Sequence, residues 1–464
     1  MKTGTSFKKN MSLALAAQTI SLIISVVMSF LVSKKMSVAS YGYWQLFVFF
    51  MAYMPISALG LLDGVYLREL GKEYEKLDKP LLGSQFKVLT VQQILIAIAI
   101  IITVQMEADN NRTYALTMVA IYMILFNLSY FIGYIFQATN NVWIFSLSII
   151  IDKGFFVILL VGLLLFRIKD FHIYIIAYTI SKLISLLYCI YKGREIIFVK
   201  QKIIKGTVNE LIENIKVGAK ITVGNLAGMF IIGCGRLVVD WKWGIEVFSV
   251  FSFSITLVNF FLTFIGQISM VILPALKQVD KQHQKQNFDL LRKILPILLL
   301  GIMVFYVPGK AVLMMWLPQY EKSFVYMAIL LPICIFDGKM QLVNNVYLKM
   351  QRKENMILGI NLVCVTLAMI LSFISAIIFN DPQWVMISVV IVVGIRSVYS
   401  EKYLEKLLGV KQSKLIWWEI ILVILFVLIN LFCSMWIAFI GYTIIFSIYI
   451  ISNRKVVFQI MRKQ

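Results

Sequence analysis

The chain has 464 residues, 60% of them hydrophobic and 14% charged, with 44 Lys and Arg against 23 Asp and Glu for a net charge of +21. A water-soluble chain carries about 25% charged residues, so this one has too little polar surface to cover globular domains in water. Cysteines 189, 234, 334, 364 and 433 sit singly in apolar runs, which excludes a disulfide scaffold, and the hydrophobicity excludes collagen-like and disordered classes. An all-α polytopic membrane protein remains.

Crossing a bilayer as helix takes about 20 apolar residues. Such runs fall at 11–33, 42–63, 86–106, 114–136, 145–166 and 171–191, and again at 217–239, 246–273, 292–316, 324–348, 356–379 and 384–403. Residues 415–452 are long enough for two short helices with a tight turn near Ser434. The total is about 14 spans, or 12 if that last region lies partly in the interface. The first run follows Lys8-Lys9 as a signal peptide would, but it is too long and ends in Ser33-Lys34-Lys35 rather than a small-residue cleavage site. It is expected to stay as the first helix. The ten-residue alternation of an outer-membrane barrel is not visible.

The basic excess reads as topology. A nucleic-acid binder would gather its bases on one soluble face. Here 30 of the 44 lie on one alternate set of connecting segments, eight on the other set and six inside spans. That bias puts both termini in the cytoplasm. The basic segment 192–216 is expected to form a surface amphipathic helix centred on Val208–Ile215, and Tyr66–Pro80 a similar one.

Displacing the chain by about 207 residues lays Gln18 on Asn225, Ser29 on Arg236 and Ser33 on Asp240, with the repeat boundary after six spans. The expected organisation is an N-lobe over 1–191, a cytoplasmic linker over 192–216, a C-lobe over 217–405 and a terminal helix pair with its tail over 406–464. Two six-helix lobes related by a pseudo-two-fold axis predict a transporter with a central cavity.

Several chemistries have no residues to support them. Gly309-Lys310-Ala311 does not make a phosphate-binding loop, and two histidines, His172 and His283, make no metal motif. No catalytic residue, metal ligand or cofactor is expected.

Ionisable residues within spans usually face a bundle interior or a wet cavity. The cations are Lys153, Lys182, Lys220, Arg236, Lys339 and Arg396. Lys220 is near enough to the boundary to snorkel. The other five are candidates for a cationic substrate site, with Lys182 favoured as cavity-facing because no acid stands at helical spacing from it. Gln18, Ser25 and Ser29 make a polar stripe on the first span, Asn225 and Arg236 share a face of the seventh, and Asp337, Gln341 and Asn344 share one on the tenth. Such stripes line a cavity or act as interhelical glue. Asp63, Asp152 and Asp337 are candidates for ion coupling or for neutralising nearby cations, Asp152 beside Lys153 and Asp337 near Lys339.

Ser-Tyr-Gly-Tyr-Trp-Gln at 40–45, the run from Leu59 to Tyr74, Gly235 to Phe248, Phe-Ser-Phe-Ser at 251–254 and 261–269 together resemble bacterial polysaccharide-biosynthesis transporters. These are flippases for O-antigen, capsule or exopolysaccharide repeat units in the multidrug/oligosaccharidyl-lipid/polysaccharide flippase superfamily. The resemblance covers roughly 8–405 and lacks the dense first-lobe arginine cluster of lipid II flippases. It implies an undecaprenyl-diphosphate-linked oligosaccharide as substrate, moved to the outer leaflet of the bacterial cytoplasmic membrane. Membrane lipids, a coupling H+ or Na+ and the polysaccharide polymerase and chain-length machinery would be its partners, and nucleic acid would not. A cation-coupled multidrug exporter of related fold and a membrane-embedded glycan polymerase or ligase stay open as alternatives.

Overall fold

The computed structural model describes residues 29–199, 206–277, 281–413 and 415–453, and contains helix and no strand among them. Gln18 and Ser25 lie outside the described residues. In lipid every backbone N–H and C=O needs an internal partner, and a helix supplies one within each segment. The chain forms two compact units, Met1–Leu226 and Ala227–Gln464.

The first unit contains α1 (Val38–Met51), α2 (Leu61–Glu69), α3 (Lys79–Val104), α4 (Asn110–Ala138), α5 (Val142–Leu165), α6 (Phe171–Lys192), the short α7 (Arg194–Ile197) and the opening turns of α8 (Thr207–Lys277). Three of these helices start on an aspartate whose carboxylate accepts from the first free backbone N–H groups. Asp78 takes Leu81 N at 3.0 Å, Asp109 takes Asn111 N at 2.9 Å and Asp170 takes His172 N at 3.0 Å. Each cap places a negative charge at the positive end of the helix dipole.

The second expected span is broken rather than straight. Leu59 (φ 54) and Gly60 (φ 91) turn left-handed, and the helical segments on either side meet at 59°. A buried polar knot holds the bend. Asn127 of α4 donates from Nδ2 to Ser57 Oγ and to Gln93 Oε1, both at 2.8 Å, while Gln93 of α3 donates to the Ser57 carbonyl at 3.1 Å. These side chains satisfy backbone that the break strips of its helical partner.

Gly60 and Gly64 let α2 meet α8 backbone to backbone. A Cβ on Gly64 would stand 1.9 Å from the Asn214 carbonyl oxygen, and one on Gly218 would stand 2.0 Å from that of Gly60. Small residues four apart make this close approach possible. Arg68 closes the crossing by pairing with Glu210 at 2.7 Å and donating to Asn214 Oδ1 at 3.0 Å. The segment expected as a separate surface helix at Val208–Ile215 is therefore the start of a long helix, with Leu211 and Asn214 buried and Val208 and Ile212 exposed. Its amphipathic pattern reflects packing on α2 and α3. Tyr66–Pro80 is not one helix either, because α2 ends at Glu69 and Gly71 (φ 86) breaks the chain.

Helix α8 itself contains one non-helical residue, Gly244 (φ 76, ψ −171), and that kink divides the expected spans 217–239 and 246–273. The displacement of about 207 residues brings Ser37 onto Gly244; Ser37 is the extended residue (φ −66, ψ 161) between helical residues 29–35 and α1. The two positions lie at the expected displacement, and each separates two helical stretches.

The second unit continues with α9 (Lys281–Met303), α10 (Tyr306–Trp316), α11 (Glu321–Leu330), α12 (Pro332–Lys339), α13 (Asn345–Met350), α14 (Glu354–Ile378), α15 (Pro382–Leu408), α16 (Leu415–Phe432) and α17 (Met435–Ser452). Segments Pro318–Leu330 and Pro332–Met350 meet at 43°, and Met340–Asn344 forms a π-helical turn between α12 and α13. Residues 415–452 form two helices, α16 and α17, with Ser434 capping the second. Ten helices among the described residues are long and apolar enough to cross a membrane, or up to 12 if each bent pair is one span.

Candidate functional site

In the first unit, α5 carries Asp152 and Lys153 and α6 carries Lys182. Asp152 Oδ2 lies 3.7 Å from Lys182 Nζ and 3.8 Å from Lys153 Nζ. Asp152 and Lys182 are buried, at 5% and 3% exposure, and Ser181 donates to Asp152 Oδ1 at 3.3 Å. Lys153 donates to Tyr178 Oη at 2.5 Å, and Lys182 stands 4.8 Å over the Tyr130 ring and 5.2 Å over that of Phe126. One carboxylate therefore faces two ammonium groups, and aromatic faces take part of the excess charge. The expectation that Lys182 stands without an acid is corrected. Its partner lies on the neighbouring helix, where spacing along one helix cannot reveal it.

The second unit holds two separate charge clusters. In one, Arg396 of α15 pairs through Nη2 with Asp337 of α12 and donates from Nη1 to the Gly228 carbonyl at 3.2 Å; Gln341 donates to the other Asp337 oxygen at 2.8 Å. Gly228 gives the guanidinium room, since a Cβ there would come within 3.1 Å of Asn361 and 3.5 Å of Arg396. In the other, Lys339 Nζ lies 2.7 Å from Glu401 of α15 and 2.7 Å from Glu419 of α16, with all three side chains at 2% exposure or less. Asp337 and Lys339, expected to neutralise each other, have different partners. Two residues apart on a helix, they point to opposite sides.

The remaining candidates do not join one site. Asn344 donates to the Ser397 carbonyl at 3.1 Å, an interhelical bond. Arg236 is buried and lies 5.1 Å from the Phe248 ring, whereas Asn225, expected on its face, is exposed. Asp63 accepts a bond from Thr222, and Ser29 is half-buried.

Sequence reasoning missed Glu401, Glu419, Glu405, Gln93 and Asn127. Both acids of the Lys339 cluster fall near span ends, where a charge ordinarily meets water. Arg292, assigned to a basic connecting segment, is 2% exposed and pairs with Glu405 and, at 2.5 Å, with Asp289.

No protein-family model matches the sequence, and no curated protein does. Solved structures do match its fold. A lipid II flippase, MurJ, in an inward closed conformation superposes with a TM-score of 0.67 at 13% identity, covering 95% of this chain and 99% of that one. The chain folds as MOP-superfamily transporters do. An inward-facing multidrug resistance transporter of the MATE family gives 0.59 at 12% identity, covering 86% and 98%. A MOP-superfamily transporter from Pyrococcus furiosus, described by the reverse polarity of its binding pocket, gives 0.52 at 11% identity, covering 85% and 96%. With this fold and its row of apolar helices, the chain is a multi-pass membrane protein.

Proposed function

We propose that the chain is a flippase that moves an undecaprenyl-diphosphate-linked oligosaccharide repeat unit from the inner to the outer leaflet of the bacterial cytoplasmic membrane by alternating access, for surface polysaccharide synthesis. The observation that carries this reading is the surplus positive charge of the Asp152–Lys153–Lys182 cluster. An uncompensated cation within spans is costly, and an anionic headgroup is the counterion that would complete it. Lys153, the least buried of the three at 17% side-chain exposure, is the ammonium placed to reach a diphosphate, with Lys182 behind it. A headgroup of sugars and diphosphate cannot cross hydrocarbon bare, because each stripped polar group costs several kcal/mol. The match to a lipid II flippase over nearly the whole of both chains supports a lipid-linked substrate.

The likeness to multidrug transporters favours a second reading, export of drugs coupled to a cation. The cation surplus speaks against cationic drugs in the first unit. Deleting the gene and restoring it as wild type, Lys153→Gln or Lys182→Gln separates the readings. Surface glycan should vanish on deletion and return with the wild type alone, while both variants still insert into the membrane. Normal surface glycan in the deletion strain, together with new drug sensitivity, would establish the exporter instead.

A further inference from the structure

The Lys339 cluster has the opposite imbalance, two carboxylates around one ammonium, and every member is buried. Oε1 of Glu401 and Oε1 of Glu419, the oxygens turned away from the ammonium, have no hydrogen-bond partner and no exposed surface. Ionised together, the two acids would leave one net negative charge in an apolar interior with two starved oxygens, which costs several kcal/mol. The surrounding ionisable groups do not relieve it. Asp337 is held by Arg396 and Gln341, Glu405 and Asp289 by Arg292, and Lys293 by Asp289. Lys402 of α15 lies 6.0 Å over the Trp417 ring. On α17, Tyr442 donates to the Leu300 carbonyl at 3.1 Å, and the Tyr449 hydroxyl, also buried and without a partner, lies within electrostatic range of Glu419.

We infer that Lys339, Glu401 and Glu419 form a proton-binding site, in which one proton shared between the two carboxyls completes the charge balance. A proton fits better than an alkali cation. The ammonium already occupies the space between the acids, and a hard cation takes about six or more oxygen ligands, which two partly engaged carboxylates do not supply. The backbone around Lys339 gives the site a means of release. Lys339 is the last residue of α12, directly before the π-helical turn Met340–Asn344 and one short helix beyond the 43° bend at Pro332. Wide turns of this kind are rare and occur at functional positions. Reversion to regular helix here would carry the ammonium away from one carboxylate and change how tightly the pair holds its proton. The inference rests on the flippase reading only for what the proton would drive.

The test uses the full chain in lipid nanodiscs and infrared spectroscopy of the carboxyl C=O stretch, which does not need the transported substrate. At neutral pH the wild type should show a protonated-carboxyl band that shifts in D2O and is the same with and without sodium. Glu401→Gln and Glu419→Gln should each remove it, since either leaves one acid and one ammonium in balance. An unchanged band in both variants overturns the site, and a band that appears only when sodium is withdrawn replaces the proton with an alkali cation. Both variants are expected to fold for the same reason, so failure of both to insert would also overturn it. Loss of the band beside normal glycan export would remove the flippase coupling and leave the proton site standing.

Discussion

The two units bury mirror-image charge triads: one acid with two bases in Asp152–Lys153–Lys182, one base with two acids in Lys339–Glu401–Glu419. Each is one charge from neutrality, and the residue is opposite in sign. The first triad is softened by aromatic rings and leaves Lys153 partly accessible, whereas the second is sealed and one oxygen of each acid lacks a donor. A partly open cation surplus suits a large anion that comes and goes. A sealed anion surplus suits the smallest cation. The Arg396–Asp337 pair, by contrast, is balanced one to one.

Removing the lone member of each triad breaks the comparison most severely. Lys339→Met leaves two buried carboxylates with no cation and should cost about 3–5 kcal/mol, read as a fall in the thermal unfolding midpoint in detergent. Asp152→Asn leaves two ammonium groups facing each other, but Lys153 can turn toward water, so about 3 kcal/mol is expected in the same assay. Removing a surplus member sharpens the contrast instead. Lys153→Gln should cost only about 1–2 kcal/mol, for the lost bond to Tyr178, while surface glycan falls to the deletion level. Glu419→Gln should be smallest, within about 1 kcal/mol of wild type, with any transport losing its dependence on pH. A large unfolding effect from Glu419→Gln would mean that both acids are ionised and held, which ends the parallel.

Hydropathy made the helices legible because lipid permits little else, and residues 415–452 resolve into the expected pair. The joint at Gly244 falls in the gap expected between the spans 217–239 and 246–273. Charge partners were not legible. Lys182 finds Asp152 and Lys339 finds Glu419 across helix–helix contacts, and helical periodicity carries information along a single helix only. Glu401 and Glu419 were hidden by position, for an acid near a span end reads as a boundary residue until the packing buries it. Gln93 and Asn127 had no signal at all, because their task is set by a bend that sequence pattern did not foretell.

The glycine crossing of α2 on α8 has a mechanical consequence. Helices that interlock through large side chains must unmesh before one can slide along the other, which makes their packing a ratchet. Where Gly60 and Gly64 face Gly218 and the Asn214 backbone, there are no teeth to unmesh. At that crossing the surfaces form a plain bearing, and its edge carries a few polar contacts, Asp63 with Thr222 and Arg68 with Glu210 and Asn214, beside the apolar cluster that holds Leu61, Val65 and Leu211. Any sliding of one helix along the other would have to break those polar contacts, and each of them is a single bond or ion pair.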